Sequence, residues 1–173
     1  MIEAPIVLHQ IVDGNISVQR EPKYVIAKSR ELATLNFDWS GINITTRFRF
    51  GHPDESPKNK KLFLLYLQVI VDNMQSNGES ATKFCPYTID IEKRAAVSMR
   101  PGINISGEPI DVIAVNGAGL IWSSIRELVL TLTARMANGP LTLPAVNFLD
   151  LIQDNKLISK TPPKKVRMKS LKN

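Results

Sequence analysis

The sequence is poor in the groups that carry chemistry. Among 173 residues there are two histidines, His9 and His52, and one cysteine, Cys85. A single cysteine excludes an internal disulfide and suits a reducing compartment. Two histidines and one cysteine at no ligand spacing argue against a zinc site. A Ser-His-Asp or Cys-His pair would rest on one histidine with no third group to orient it. The run Asn116-Gly117-Ala118-Gly119 lacks the Gly-x-x-x-x-Gly-Lys spacing that cradles phosphate. Asp90 and Glu92 share one side of a strand, a pattern that usually marks solvated surface carboxylates. The residues therefore argue against an enzyme and against a resident metal or cofactor.

Long apolar runs are also missing. No stretch reaches the roughly 18 apolar residues of a membrane span. The most apolar one, Leu62 to Val71, carries Tyr66 and Gln68 and reads as a buried strand. The N-terminus bears Glu3 and no basic-then-apolar signal pattern, so the expected location is the cytoplasm.

Acidic residues are absent from one end. After Asp154 there are seven basic residues and no acidic one, and setting those seven aside leaves 15 basic against 16 acidic residues. The net charge of +6 thus lives in a tail, not in the body. With Pro162-Pro163 and little to bury, residues 155–173 read as a disordered, solvated extension of a single domain over residues 1–154. Such a tail either solubilises or attracts phosphates, so nucleic-acid or ribosome binding is possible through it alone.

Strand signals dominate the first half. Ile6, Leu8, Gln10 and Val12 alternate with His9 and Ile11 in a strand apolar on much of both faces. Leu35, Phe37 and Trp39 alternate with polar residues, as do Phe48 and Phe50 with Arg47 and Arg49. Asn77-Gly78 predicts a hairpin turn between a strand ending near Asp72 and one starting near Ala81. Pro101-Gly102 and Gly107 mark a loop before a helical turn around Ile110 to Val115.

Helix signals follow. Ser124 and Glu127 have capping-box spacing, and Ile125, Leu128, Val129, Leu132 and Met136 form one stripe behind them. Gly139-Pro140 ends that helix. A second, short helix is expected from Asn147 as N-cap, with Phe148, Leu151 and Ile152 on one face. Strands first and helices last predict an α+β fold with a four-stranded antiparallel sheet, a long helix and a short one. Periodicity alone also allows both stripes to be ordinary core.

Several segments resemble the SecB family of ATP-independent chaperones, in order along the chain. HQIVDGNISVQREP at 9–22 looks like the family's first strand, and KLFLLYLQVIVD at 61–72 like its central strand. DVIAVNGAGLIWSSIREL at 111–128 looks like the entry to its long helix, and LTLPAVNF at 141–148 like the loop opening the last helix. The resemblance spans roughly residues 5–154. The chain departs from the pattern in placing its proline one position early, before Ala145, and in a longer polar segment at 51–61. It also reverses the sign of the family's acidic tail, so contact with the export motor ATPase is not carried over.

The resemblance implies a holdase that binds unfolded or partly folded polypeptide in an apolar groove, either a preprotein for export or, as in SecB-like relatives dedicated to toxin–antitoxin pairs, an antitoxin. It implies groove residues Leu141, Leu143, Val146, Phe148, Leu151 and Ile152, with Trp122 and Tyr66 beside them. It further implies a homotetramer, a dimer of dimers, with Ile125, Leu128, Val129, Leu132 and Met136 of the long helix and Ile6 and Leu8 of the first strand at subunit contacts.

Overall fold

The computed structural model describes residues 4–24, 37–51, 62–74, 83–103 and 108–150. Four strands, β1 (Ile6–Arg20), β2 (Thr45–Gly51), β3 (Leu62–Val71) and β4 (Tyr87–Met99), precede one helix, α1 (Pro109–Thr133). The sheet order is β1-β4-β3-β2 and every pairing is antiparallel. β2, β3 and β4 form a meander, and β1 closes its far edge beside β4.

The period-two pattern explains the two central strands. Phe63, Leu65, Leu67, Val69 and Val71 of β3, and Tyr87, Ile89, Ile91, Ala95 and Val97 of β4, turn to one face and are buried. α1 lies on that face across β4, β1 and β3. Its Ile113, Ala118, Ile121, Ile125 and Val129 join the same core. Each fully buried aliphatic side chain contributes about 1.5–3 kcal/mol of transfer free energy. Close helix–sheet approach depends on Gly117, where an added Cβ would sit 2.8 Å from a methyl of the buried Leu65. By length and composition α1 could cross a membrane, but its apolar side is buried against the sheet, as in a core helix.

Local signals placed the start of α1 too late. Ser124 is interior to a helix that begins at Pro109, with Glu108 as N-cap making no side-chain cap bond. Pro109 occupies the first turn, where a missing amide costs nothing, and Asp111 complements the dipole. The expected turn at Ile110 to Val115 is therefore the start of one continuous helix, and the capping box is not used as a cap. Met136 lies beyond its end. Gly139 takes the left-handed conformation at φ 82°, but α1 has already ended at Thr133 with Ala134 as C-cap, so Gly139-Pro140 is not the stop the sequence predicts.

Two bulges break β1, between Leu8 and Gln10 and between Asp13 and Ile16. The first reverses the expected alternation: Ile6 and Leu8 pair with Met99 and Val97 on the helix side, whereas Gln10 and Val12 pair with Ala96 and Arg94 on the open side. At the second, Asp13 meets the buried Lys93 in an ion pair of 2.6 Å. Phe37 and Trp39 do not form a strand; their rings pack edge to face at 5.0 Å. β4 starts at Tyr87, later than expected. Leu35, the Asn77-Gly78 turn, Gly107, and Leu151 with all that follows it lie outside the described residues.

A polar corner closes the end of the sheet where β4 begins. Asn73, at φ 58°, is buried; its Oδ1 accepts the Cys85 amide at 2.8 Å, and its Nδ2 donates to Glu21 Oε2 at 2.9 Å. Cys85 is buried beside it, and burial pushes its thiol up to about 12. The native protein at pH 8 is expected to resist thiol-labelling reagents until denaturant is added; rapid labelling of the folded chain would contradict this packing. The sign of the pH effect follows, because the folded pKa lies above the ordinary 9.0. Stability from the un-ionised thiol is full below pH 9 and is lost as pH rises toward about 12.

Candidate functional site

The segment after α1 forms an extended strap that runs back along the helix. Its main chain is held by side chains from distant parts of the molecule. Thr133 Oγ1 accepts the Leu141 amide at 2.8 Å, and Trp39 Nε1 donates to the Thr142 carbonyl at 3.2 Å. Arg126 Nε donates to the Leu143 carbonyl at 2.8 Å, and Trp122 Nε1 to the Pro144 carbonyl at 3.0 Å. Tyr87 adds a bond from its hydroxyl to the Gly139 carbonyl at 2.7 Å, and burial raises its pKa. An irregular segment buried on one side must satisfy its backbone in this way.

These bonds sort the expected groove residues. Leu141 and Leu143 point into the core and are fully buried. Phe148 is buried with its ring 5.9 Å from that of Trp122, itself 3% exposed. Val146 and Leu149 are exposed, at 42% and 54%. Asn147 Oδ1 accepts the Leu149 amide at 3.1 Å, the bond an N-cap makes. Leu151 and Ile152 fall outside the described residues. Tyr66 is not brought to this group; it stands on the opposite, open face of the sheet, its hydroxyl 3.3 Å from both Gln68 Oε1 and Glu92 Oε2.

The candidate subunit contacts divide similarly. Ile125 and Val129 are fully buried within the chain, and Ile6 nearly so, whereas Leu128, Leu132 and Met136 are half-buried and Leu8 is exposed. Leu8 borders a cleft of about 520 Å³ between the start of β1 and α1, together with Ala4, Val115 and the exposed Leu120. This cleft and the anchoring roles of Trp39 and Arg126 were not read from the sequence, where Trp39 looked like a strand residue.

Thr133 gives the cleanest test of the strap. Changing it to valine keeps the shape but leaves the Leu141 amide buried without an acceptor, and should cost about 1–3 kcal/mol. Urea unfolding would measure it; a loss within error would mean the strap is not held there.

The described residues contain no group of three or more His, Cys, Asp or Glu side chains able to hold a metal ion. No protein-family model matches the chain, and no curated protein matches it. Among solved structures, a protein of unknown function from Streptococcus agalactiae is similar at TM-score 0.48 and 11% identity, over 81% of this chain and 97% of that one. The chain is also similar in structure to the Mycobacterium tuberculosis SecB-like chaperone Rv1957, solved with a ChAD peptide from the Rv1956 HigA1 antitoxin, at TM-score 0.45 and 19% identity over 83% of this chain and 92% of that one.

Proposed function

We propose that this chain is an ATP-independent holdase, binding unfolded or non-native polypeptide on an apolar ledge. The observation that carries the reading is the end of the strap, where the main chain is anchored at Pro144 and the buried Phe148 ring packs on Trp122, while Val146 and Leu149 on either side of that ring stay exposed. A segment held at Pro144 and at Phe148 that presents solvated aliphatic side chains is pre-organised for apolar contact, because much of its ordering cost is met before a client arrives. Leu141 and Leu143 support the ledge from beneath. Preferential binding of the unfolded state shifts a client's folding by mass action and needs no fuel. The order of SecB-like segments along the sequence points the same way, with a preprotein or an antitoxin as client in the cytoplasm.

Assembly strengthens the action. In a dimer of dimers, Leu8 and the β1–α1 cleft meet one neighbour and Leu128 and Leu132 another, so that several ledges act at high effective concentration on one client. Charged residues at Leu128 and Leu132 should dissociate tetramers into folded dimers, as read by analytical ultracentrifugation.

The test of function is suppression of aggregation when a chemically denatured, slow-refolding protein is diluted with the full chain and no nucleotide. Near-stoichiometric protection is expected, with most of it lost in the Val146→Ser/Leu149→Ser variant. Those side chains are exposed, so the variant should fold, unlike one altered at the buried Leu143. No protection by the wild-type chain would overturn the holdase reading.

A further inference from the structure

The face of the sheet opposite α1 carries a second surface of different chemistry. Two cross-strand rows define it. One runs Gly51, Leu64, Ala96 and Gln10; the next runs Arg49, Tyr66, Arg94 and Val12. The first row is low, because glycine and alanine stand where neighbouring positions carry long side chains. The second is high. The step between them is a recess of about 410 Å³ with Leu64 and Ala96 as its apolar floor and Val12 at its side. Leu64 and Val12 are 46% and 42% exposed, so the apolar surface of the recess is wet.

The rim is cationic. Arg49 lies 5.8 Å from the centroid of the Tyr66 ring, and among the described residues it has no carboxylate partner. Arg94 spends two donors on a single oxygen, Glu92 Oε1, at 2.9 and 2.7 Å, and its side chain is 64% exposed. Farther along the sheet the acids are engaged: Asp90 accepts from Gln68 Nε2 at 2.7 Å, and Glu92 serves Arg94 and Tyr66. Among the described residues, the uncompensated positive charge at the recess is therefore that of Arg49.

We infer that this recess binds an extended acidic–apolar peptide segment, with one aliphatic or aromatic side chain over Leu64 and Ala96 and a flanking carboxylate on Arg49. Charge complementarity selects the occupant: a guanidinium without a carboxylate beside a solvated apolar floor fits Asp or Glu next to a large apolar residue. The site lies on the other side of the sheet from the strap and does not depend on the holdase reading.

The experiment uses the full chain and fluorescence anisotropy of a labelled Gly/Ser peptide bearing Asp-Phe-Asp, with Asn-Phe-Asn and Lys-Phe-Lys versions as controls. Binding of the acidic peptide alone is expected, weakened about tenfold or more by Arg49→Glu and by added salt. Ala96→Met, which fills the floor, should weaken it comparably, while Val146→Ser/Leu149→Ser should not. Arg49 is exposed and, among the described residues, has no carboxylate partner, so its reversal should leave the fold intact, as thermal unfolding would verify; Leu64→Ser gives a second probe of the floor. Equal binding of the three peptides, or acidic-peptide affinity unchanged by both Arg49→Glu and Ala96→Met, would overturn the inference. Self-association abolished by Arg49→Glu would overturn it too, by making a second copy the occupant.

Discussion

Trp122→Ala should destabilise the chain by about 3–5 kcal/mol, the usual cost of deleting a large buried aromatic side chain. The residue is 3% exposed, packs on Phe148, and supplies the donor to the Pro144 carbonyl, so one change opens a cavity, frees a ring and orphans an acceptor. Trp122→Phe separates these effects. It keeps much of the packing but removes the donor, and should cost nearer 1 kcal/mol plus a cavity contribution. Chemical denaturation followed by far-ultraviolet circular dichroism measures both. A loss below about 1 kcal/mol for the alanine variant would show that the strap packs without Trp122. A drop in client binding with this variant would say nothing about a groove, because the fold itself is weakened.

Asn73→Ala is the second large effect, expected at about 3 kcal/mol or more. The change leaves the Cys85 amide and the Glu21 carboxylate short of partners in a buried corner, at about 1–3 kcal/mol each. It also forces alanine into the left-handed region at φ 58°, where a Cβ without a local hydrogen bond costs about 1–2 kcal/mol. Asn73→Gly removes the same bonds without that strain, so it should lie about 1 kcal/mol above alanine in stability. Equal stability of the two variants would refute the backbone argument; wild-type stability of both would refute the hydrogen-bond argument. Because Glu21 follows β1 and Asn73 follows β3, the corner couples strands that are not neighbours in the sheet.

The alternation of Phe48 and Phe50 with Arg47 and Arg49 foretold β2, and the same side of β4 carries Asp90 and Glu92 as expected. Those carboxylates are hydrogen-bonded to Gln68, Tyr66 and Arg94 rather than merely solvated. The start of α1 was missed because Ser124 and Glu127 satisfy a local rule that the continuing helix overrides. Tertiary contact supplies the reason: Ile113, Ala114 and Gly117 are buried on the sheet, so helix is retained through the glycines at 117 and 119.

What the sequence by itself determined is a set of local patterns: strand alternation in β2, the short apolar run of β3, an apolar helical stripe, a left-handed glycine at 139, and a basic tail beside a near-neutral body. Those depend on neighbours a few positions away, which the sequence shows directly. Tertiary structure alone decided which apolar residues are core and which are surface. Leu143 and Val146 look alike in the sequence; Leu143 is buried because Arg126 and Trp39 hold the strap against the body, whereas Val146 lies beyond the last anchor, Trp122. Likewise, the bulge that turns Val12 to the open face is set by pairing with β4, more than 80 residues away. Burial and facing are properties of long-range neighbours, and no local pattern encodes them.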